Sequence, residues 1–247
     1  MFSDSLYTSM AGLQNISEKM QAVASNLSNS QTPGYEAIQT ATHAQFYQGA
    51  NAPVGADARL DTLQPDSTPG PLKQTGSSLD VGITGNAWLQ VQTPDGTALT
   101  RNGSLSISSS GMLTDSSGNP ILSASGTAIS LPPLDKIQIG SDGTISGVVS
   151  GSSSSQAKVL AQIGLVSTPA GGLSAIGGSL YKASSNSPLT PATDGAVHQG
   201  YLNDSDVNPT MAMMDMINSS RSYQLQTELI KNQSSASQDL NTLLAQG

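Results

Sequence analysis

Asn208-Pro209-Thr210-Met211-Ala212-Met213-Met214-Asp215-Met216-Ile217 opens the stretch whose reading decides the fold. Asn208 is a good N-cap. Pro209 then takes the first helical position, where a missing N–H costs nothing. An apolar stripe follows through Met211, Met214, Ile217, Leu225, Leu229, Ala236, Leu240 and Leu243, interrupted by Arg221 and Asn232. From Met214 its period is about 3.6 residues, and no Gly or Pro intervenes before Gly247. Such a helix spans roughly 50 Å at about 1.5 Å per residue.

Residues 3–29 mirror it. Leu6, Met10, Leu13, Met20 and Leu27 follow steps of four and three, with Ser17 and Ala24 filling the remaining places. The mean step is about 3.5, the repeat of a coiled-coil seam. Ile16 and Val23 widen the stripe, and Ser3, Asp4 and Ser5 offer N-cap oxygens. Asn29-Ser30-Gln31-Thr32-Pro33-Gly34 ends the helix, because Pro33 lacks an amide hydrogen and biases Thr32 away from helical angles. Apolar burial at about 25 cal/mol per Å² is the main source of stability for a one-striped helix. The first and last helices are therefore expected to pair as a coiled-coil-like layer. The unequal periods argue against an ideal two-stranded coil along the full length. Ile16, Val23 and Met213 would face other copies.

Between the helices the period changes. Trp88-Leu89-Gln90-Val91-Gln92 and Leu105-Ser106-Ile107 alternate as strands do. Turn pairs punctuate the region at Asp95-Gly96, Asn102-Gly103, Ser110-Gly111, Ser117-Gly118 and Asp142-Gly143. Ile137-Gln138-Ile139 and Thr144-Ile145-Ser146 flank the last pair as a hairpin. Val159 to Val166 reads as a longer strand, and Gly151–Ser155 as a loop. The expected class is α+β with a β-rich antiparallel centre. The expected divisions are an N-terminal helix over 1–30, an extended connector over 31–80, the β-rich domain over 81–204 and a C-terminal helix over 205–247.

The 247 residues are 36% apolar and only 4% aromatic, so the core rests on aliphatic side chains. The formal charge is −8, and the nine basic residues are scattered. No positive stripe exists to neutralise a phosphate backbone, which argues against nucleic-acid binding and against docking on an anionic membrane. No run of about 18 apolar residues is present to span a bilayer. The absence of cysteine removes disulfides, thiolate metal sites and cysteine nucleophiles, and suits a protein that enters an oxidising compartment. The opening residues carry neither a basic n-region nor an apolar h-region, so no cleavable secretory signal is expected.

Nothing converges into catalytic chemistry. His43 and His198 each stand alone in a polar stretch, without the close-spaced partner a metal site needs. Asp95 and Asp142 belong to turns. Asp204 and Asp206 precede a helix, where negative charge interacts well with the macrodipole, and they lack the rest of a calcium loop. A cell-wall hydrolase would need two separated carboxylates, and Asp80 and Asp115 could be nominated only arbitrarily. Met211, Met213, Met214 and Met216 read as adaptable packing rather than a soft-metal site. No phosphate loop or nucleophile elbow occurs. No cofactor, metal or enzymatic activity is expected.

Several segments carry a family likeness. Tyr7-Thr8-Ser9-Met10-Ala11-Gly12, Ala24-Ser25-Asn26-Leu27-Ser28-Asn29 and Thr32-Pro33-Gly34-Tyr35 resemble the N-terminal signature of bacterial flagellar axial proteins, with serine at 25 and 28 where that pattern has Asn and Ala. Thr68-Pro69-Gly70-Pro71-Leu72, Leu79-Asp80-Val81-Gly82-Ile83, Ala87-Trp88-Leu89-Gln90-Val91 and Thr100-Arg101-Asn102-Gly103 resemble the rod and hook group in order and spacing. So does Gly200-Tyr201-Leu202-Asn203, leading to Asp206-Val207-Asn208-Pro209. Length and detail are most similar to the proximal rod branch. The resemblance implies a structural subunit that is exported through the flagellar export apparatus and assembles with copies of itself and other rod proteins in the periplasm-spanning rod. Its terminal helices would form an inner layer and its β-rich domain an outer one. The stripe residues of both helices become the candidate assembly surface, and Asn26, Leu27, Asn29, Thr32, Pro33, Gly34, Tyr35, Asn208 and Pro209 the candidate family motif.

Overall fold

Helix α1 runs from Phe2 to Ser28 and helix α2 from Pro209 to Ala245, with two long strands and then a succession of shorter ones between them. The structure is a computed structural model and describes residues 2–49, 52–65, 68–151, 156–169, 172–184 and 188–245. The chain divides into two units. One holds residues 1–28, 38–63 and 208–247; the other holds 29–37 and 64–207.

In the first unit, strands β1 (Ile38–Gly49) and β2 (Ala52–Pro65) form a two-stranded sheet inside the stretch read as a connector. Asn26 receives the start of β1 with both ends of its amide. Its Nδ2 donates to the Ile38 carbonyl (3.0 Å), and its Oδ1 accepts from the Ile38 amide (2.8 Å). At the start of α2, Asn208 Oδ1 accepts from the amides of Thr210 (3.0 Å) and Met211 (3.2 Å), satisfying two donors that the first turn leaves orphaned.

The expected coiled-coil-like layer is not what forms. Where α2 meets α1 it presents amides: Gln226 Nε2 donates to the Ser9 carbonyl (3.0 Å), and Ser9 Oγ lies 3.4 Å from Gln233 Oε1. The approach depends on small residues in α1, since a β-carbon on Gly12 would lie 3.2 Å from Gln226 Nε2. The covered side of α2 runs through Ala212, Met216, Ser219, Gln226, Ile230 and Gln233. The apolar stripe lies elsewhere: Met211 is 62%, Leu225 63% and Leu229 58% exposed, and Met213, Met214 and Ile217 are also exposed. A coiled coil requires a regular row of apolar knobs at the seam, and here Ser219, Gln226 and Gln233 are interspersed with Ala212, Met216 and Ile230 on the covered side. In α1, Met10 is exposed, Leu13, Ile16, Met20 and Leu27 are half-buried, and Val23 is buried. The side chains of Leu6, Leu240 and Leu243 lie outside the described residues.

The second unit is built from antiparallel strands. Its largest sheet has six strands, in the spatial order Leu173–Gly177, Leu180–Ala183, Gly96–Thr100, Trp88–Thr93, Leu165–Ser167 and Thr190–Pro191. A second sheet orders Lys158–Gln162, Thr144–Val149 and Leu134–Ile139. The hairpin about Asp142-Gly143 is present, with Ile139 opposite Ile145. The long strand expected over 159–166 is interrupted instead. Gly164 packs so closely on the Ser123 carbonyl that a β-carbon would stand 2.6 Å away. Val81, Ile83, Leu89, Val91, Leu113, Ile121, Ile145 and Ile163 fill the main core. Trp88, on the opposite face of its strand from Leu89, packs with Leu99, Val166, Leu173 and Tyr181.

Truncating Leu225 and Leu229 to alanine tests the helix arrangement. The helical circular dichroism and the thermal transition of the monomer should stay within about 0.5 kcal/mol of the parent, as for surface positions. A loss of about 2–5 kcal/mol per site would instead mark a buried seam.

Candidate functional site

Arg101 is the largest buried charged side chain among the described residues, 1% exposed, and it directly follows the strand Gly96–Thr100. A guanidinium in an aliphatic interior requires an anion and acceptors for its fork. Nη1 pairs with Glu36 Oε1, Nε donates to the Ala87 carbonyl (3.1 Å) and Nη2 to the Gly85 carbonyl (3.2 Å). Its planar face lies 4.2 Å from the Trp88 ring centre, a cation–π contact. Trp88 in turn meets Tyr181 edge-to-face, at 5.2 Å between centroids and 67° between planes.

Glu36 arrives on the strap Thr32-Pro33-Gly34-Tyr35-Glu36. The strap folds tightly because the Thr32 amide bonds to the Asn29 carbonyl (3.0 Å) and Thr32 Oγ1 to Asn29 Oδ1 (3.2 Å). Gly34 has φ of +67°, and a β-carbon there would lie 2.3 Å from both the Arg101 carbonyl carbon and the Asn102 nitrogen. Only glycine satisfies both demands. The Gly34 amide donates to the Asn203 carbonyl (2.9 Å), and the Asp206 amide donates to the Tyr35 carbonyl (3.1 Å). The Glu36 amide donates to Tyr181 Oη (2.8 Å). Burial holds the Tyr181 phenol well above its ordinary pKa, so it stays protonated.

Asn203 completes the junction. Its Oδ1 accepts from the Ile83 amide (2.7 Å), and its Nδ2 donates to the Ile83 carbonyl (2.9 Å). Gly70 lies against the backbone of Asp204, and the Asp204 amide bonds to the Pro71 carbonyl (2.9 Å). Five segments distant in sequence, at 32–36, 70–71, 81–88, 100–103 and 200–206, thus meet around one buried ion pair. Sequence reasoning identified these segments singly and missed the Glu36–Arg101 pair. A charge directly after the buried run Ala98-Leu99-Thr100 was the available signal, because such a charge demands a buried partner.

This arrangement anchors and does not react. The Arg101 donors are engaged, and the tyrosine is kept protonated. Elsewhere, Asp115 closes its own turn, accepting from the amides of Ser117 and Asn119 (2.8 Å each). His198 Nε2 lies 3.3 Å from Thr84 Oγ1, and His43 falls outside the described side chains. Among the described residues no cluster of three metal-binding side chains occurs, and no helix is long and apolar enough to cross a membrane.

The site and fold define a structural module, a β-rich unit with an exposed apolar helix elsewhere in the same chain. Three family models match it. Residues 6–35 match the flagella basal body rod protein model, residues 82–147 the flagellar hook protein FlgE/F/G D1 domain, and residues 198–243 the flagellar basal body rod FlgEFG protein C-terminal model. The chain is 32% identical to the flagellar basal-body rod protein FlgF of Escherichia coli, over 97% of this chain and 98% of that one. It is 31% identical to the rod protein FlgG of Buchnera aphidicola from Acyrthosiphon pisum, over 97% and 99%. It is 30% identical to FlgF of Salmonella typhimurium, over 91% and 92%. The chain belongs to the flagellar basal-body rod protein family.

Replacing Glu36 by Gln should destabilise the second unit by about 3–5 kcal/mol, because it leaves Arg101 buried without its anion. The double replacement Glu36→Leu with Arg101→Met should recover much of that loss, a strong coupling in a double-mutant cycle. Urea unfolding followed by Trp88, the single tryptophan, reads both. Gly34→Ala should cost more than about 1 kcal/mol in the same assay.

Proposed function

We propose that this chain is a structural subunit of the proximal part of the flagellar basal-body rod, the periplasm-spanning shaft that transmits torque, and that it catalyses nothing. The observation that carries this reading is the exposed apolar face of α2. A face of that size on one side of a helix marks association. Family membership supports other rod proteins as partners, and we assign copies of this chain to the same role. The assembly surface we assign is Met10 on α1 with Met214, Ile217, Leu225 and Leu229 on α2. Leu6, Leu240 and Leu243 continue the same stripes in sequence. Two different faces on one subunit join head to tail without closing, which produces a helical shaft rather than a ring.

We assign delivery of the subunit to the rod to the flagellar export apparatus, on the strength of its family membership. The scattered basic residues support neither nucleic-acid binding nor membrane insertion. Relatives named FlgF and FlgG both align along nearly the whole chain, so a distal rod role is the second reading.

Two strains separate them, one lacking the proximal rod gene and one lacking the distal rod gene. The chain should restore swimming in the first and not in the second. In the first strain, removal of residues 1–30 should abolish rod assembly while Trp88 fluorescence still reports a folded β-rich unit. Leu225→Ser with Leu229→Ser should leave monomer stability unchanged and eliminate the protein from purified basal bodies. Normal swimming by that variant would overturn the surface assignment.

A further inference from the structure

The apolar face of α2 is unusual in its chemistry. Four of the eight methionines of the chain stand within residues 211–216. Three of them are open to solvent: Met211 at 62%, Met213 at 52% and Met214 at 59% exposure. Met216 is half-buried on the covered side, and so are Met20 and Met112 in other parts of the chain. A thioether is the only readily oxidised side chain here besides the single tryptophan, which is fully buried, because the chain holds no cysteine. Oxidants that act on methionine require access to sulfur.

We propose that Met211, Met213 and Met214 form a peroxide-sensitive modification site whose oxidation blocks association through the α2 face. This rests on reading that face as the assembly surface. The step is a two-electron transfer. A sulfur lone pair attacks one oxygen of a hydroperoxide, an S–O bond forms and the O–O bond breaks. Sulfur is oxidised to the sulfoxide, and the departing oxygen takes up a proton, leaving as water when the oxidant is hydrogen peroxide. Each event replaces a flexible apolar group by a strongly dipolar acceptor.

The location makes the change effective. The three thioethers occupy the first turns of α2, directly after the Asn208 cap, and Ile217, Leu225 and Leu229 extend the same exposed apolar surface. In the free subunit a sulfoxide there is solvated and costs nothing. In an assembled interface its oxygen would be buried without a donor, a penalty of the kind that excludes polar groups from dry contacts. Oxidation therefore acts on subunits before they are incorporated, and incorporated subunits are shielded by the contact itself.

The first test treats the folded full-length protein with hydrogen peroxide and follows oxygen uptake by peptide mapping. Met211, Met213 and Met214 should gain one oxygen each about fivefold faster than Met216, Met20 and Met112. Exposed Met10 should react alongside them. Equal rates at all methionines would overturn the site. The second test uses purified basal bodies from complemented cells. Triple replacement of the three methionines by leucine keeps the face apolar and should preserve incorporation. Triple replacement by glutamine, which imitates the sulfoxide dipole, should remove the protein from the rod while its monomer melts normally. Incorporation of the glutamine variant at the parental level would overturn the switch. Should Leu225→Ser with Leu229→Ser also incorporate normally, the assembly reading itself fails, while the peroxide-selectivity result stands independently.

Discussion

A guanidinium shut inside an aliphatic core has to be neutralised where it lies, and the β-rich unit is organised around meeting that demand. Arg101 draws in Glu36 from a segment far upstream, two backbone carbonyls from Gly85 and Ala87, and the face of Trp88. Removing either charge leaves the other stranded, whereas removing both is far less costly. The pair therefore contributes less to net stability than to uniqueness: among the ways the strap could lie on the sheet, only one brings Glu36 to Arg101. The close approach of Gly34 to the Arg101–Asn102 backbone enforces the same answer sterically. Electrostatics and packing select one register twice over.

The helical unit obeys a different constraint. Its two helices make glutamine contacts at Ser9 beside small residues such as Gly12, and the contact leaves Met211, Met213, Met214, Ile217, Leu225 and Leu229 of α2 exposed. If the leucines of α2 had packed on α1, the subunit would be more stable alone and would have little left for a neighbour. Keeping the apolar face outward costs solubility and monomer stability, and it leaves the surface whose burial would drive the proposed association. For a subunit whose stability is completed by assembly, that distribution is the favourable one.

Much of this was legible in the residues. Asn208-Pro209 marks the start of α2, and the run from Asn29 to Gly34 marks the end of α1, because capping and the missing proline amide are local effects. The alternation about Trp88 and the hairpin at Asp142-Gly143 were readable for the same reason. The facing of the helices was not. Periodicity tells where apolar residues lie on a cylinder, not which side a neighbour covers. The inference that apolar means buried within one chain fails here, because Met211, Met214, Ile217, Leu225 and Leu229 all stand exposed. Gln226 and Gln233 look like surface residues until the Ser9 carbonyl and hydroxyl are placed beside them. The Glu36–Arg101 pair was hidden by distance along the sequence, although each partner sits in or beside a segment already marked as informative.

The two units distribute specificity and affinity differently. In the β-rich unit nearly every polar contact is directional: the Asn203 amide is matched to both backbone groups of Ile83, and Tyr181 to the backbone of Glu36. Such contacts fix a shape and tolerate little substitution. The exposed face of α2 is rich in methionine, whose unbranched side chain repacks at low cost. In the assembly proposed above, a subunit would meet copies of itself and other rod proteins, so an adaptable surface would serve it better than a rigid one. The same polarisable sulfur that allows repacking is what an oxidant attacks. Adaptability and chemical vulnerability thus have a single origin in the thioether, and a leucine-only face would lose both together.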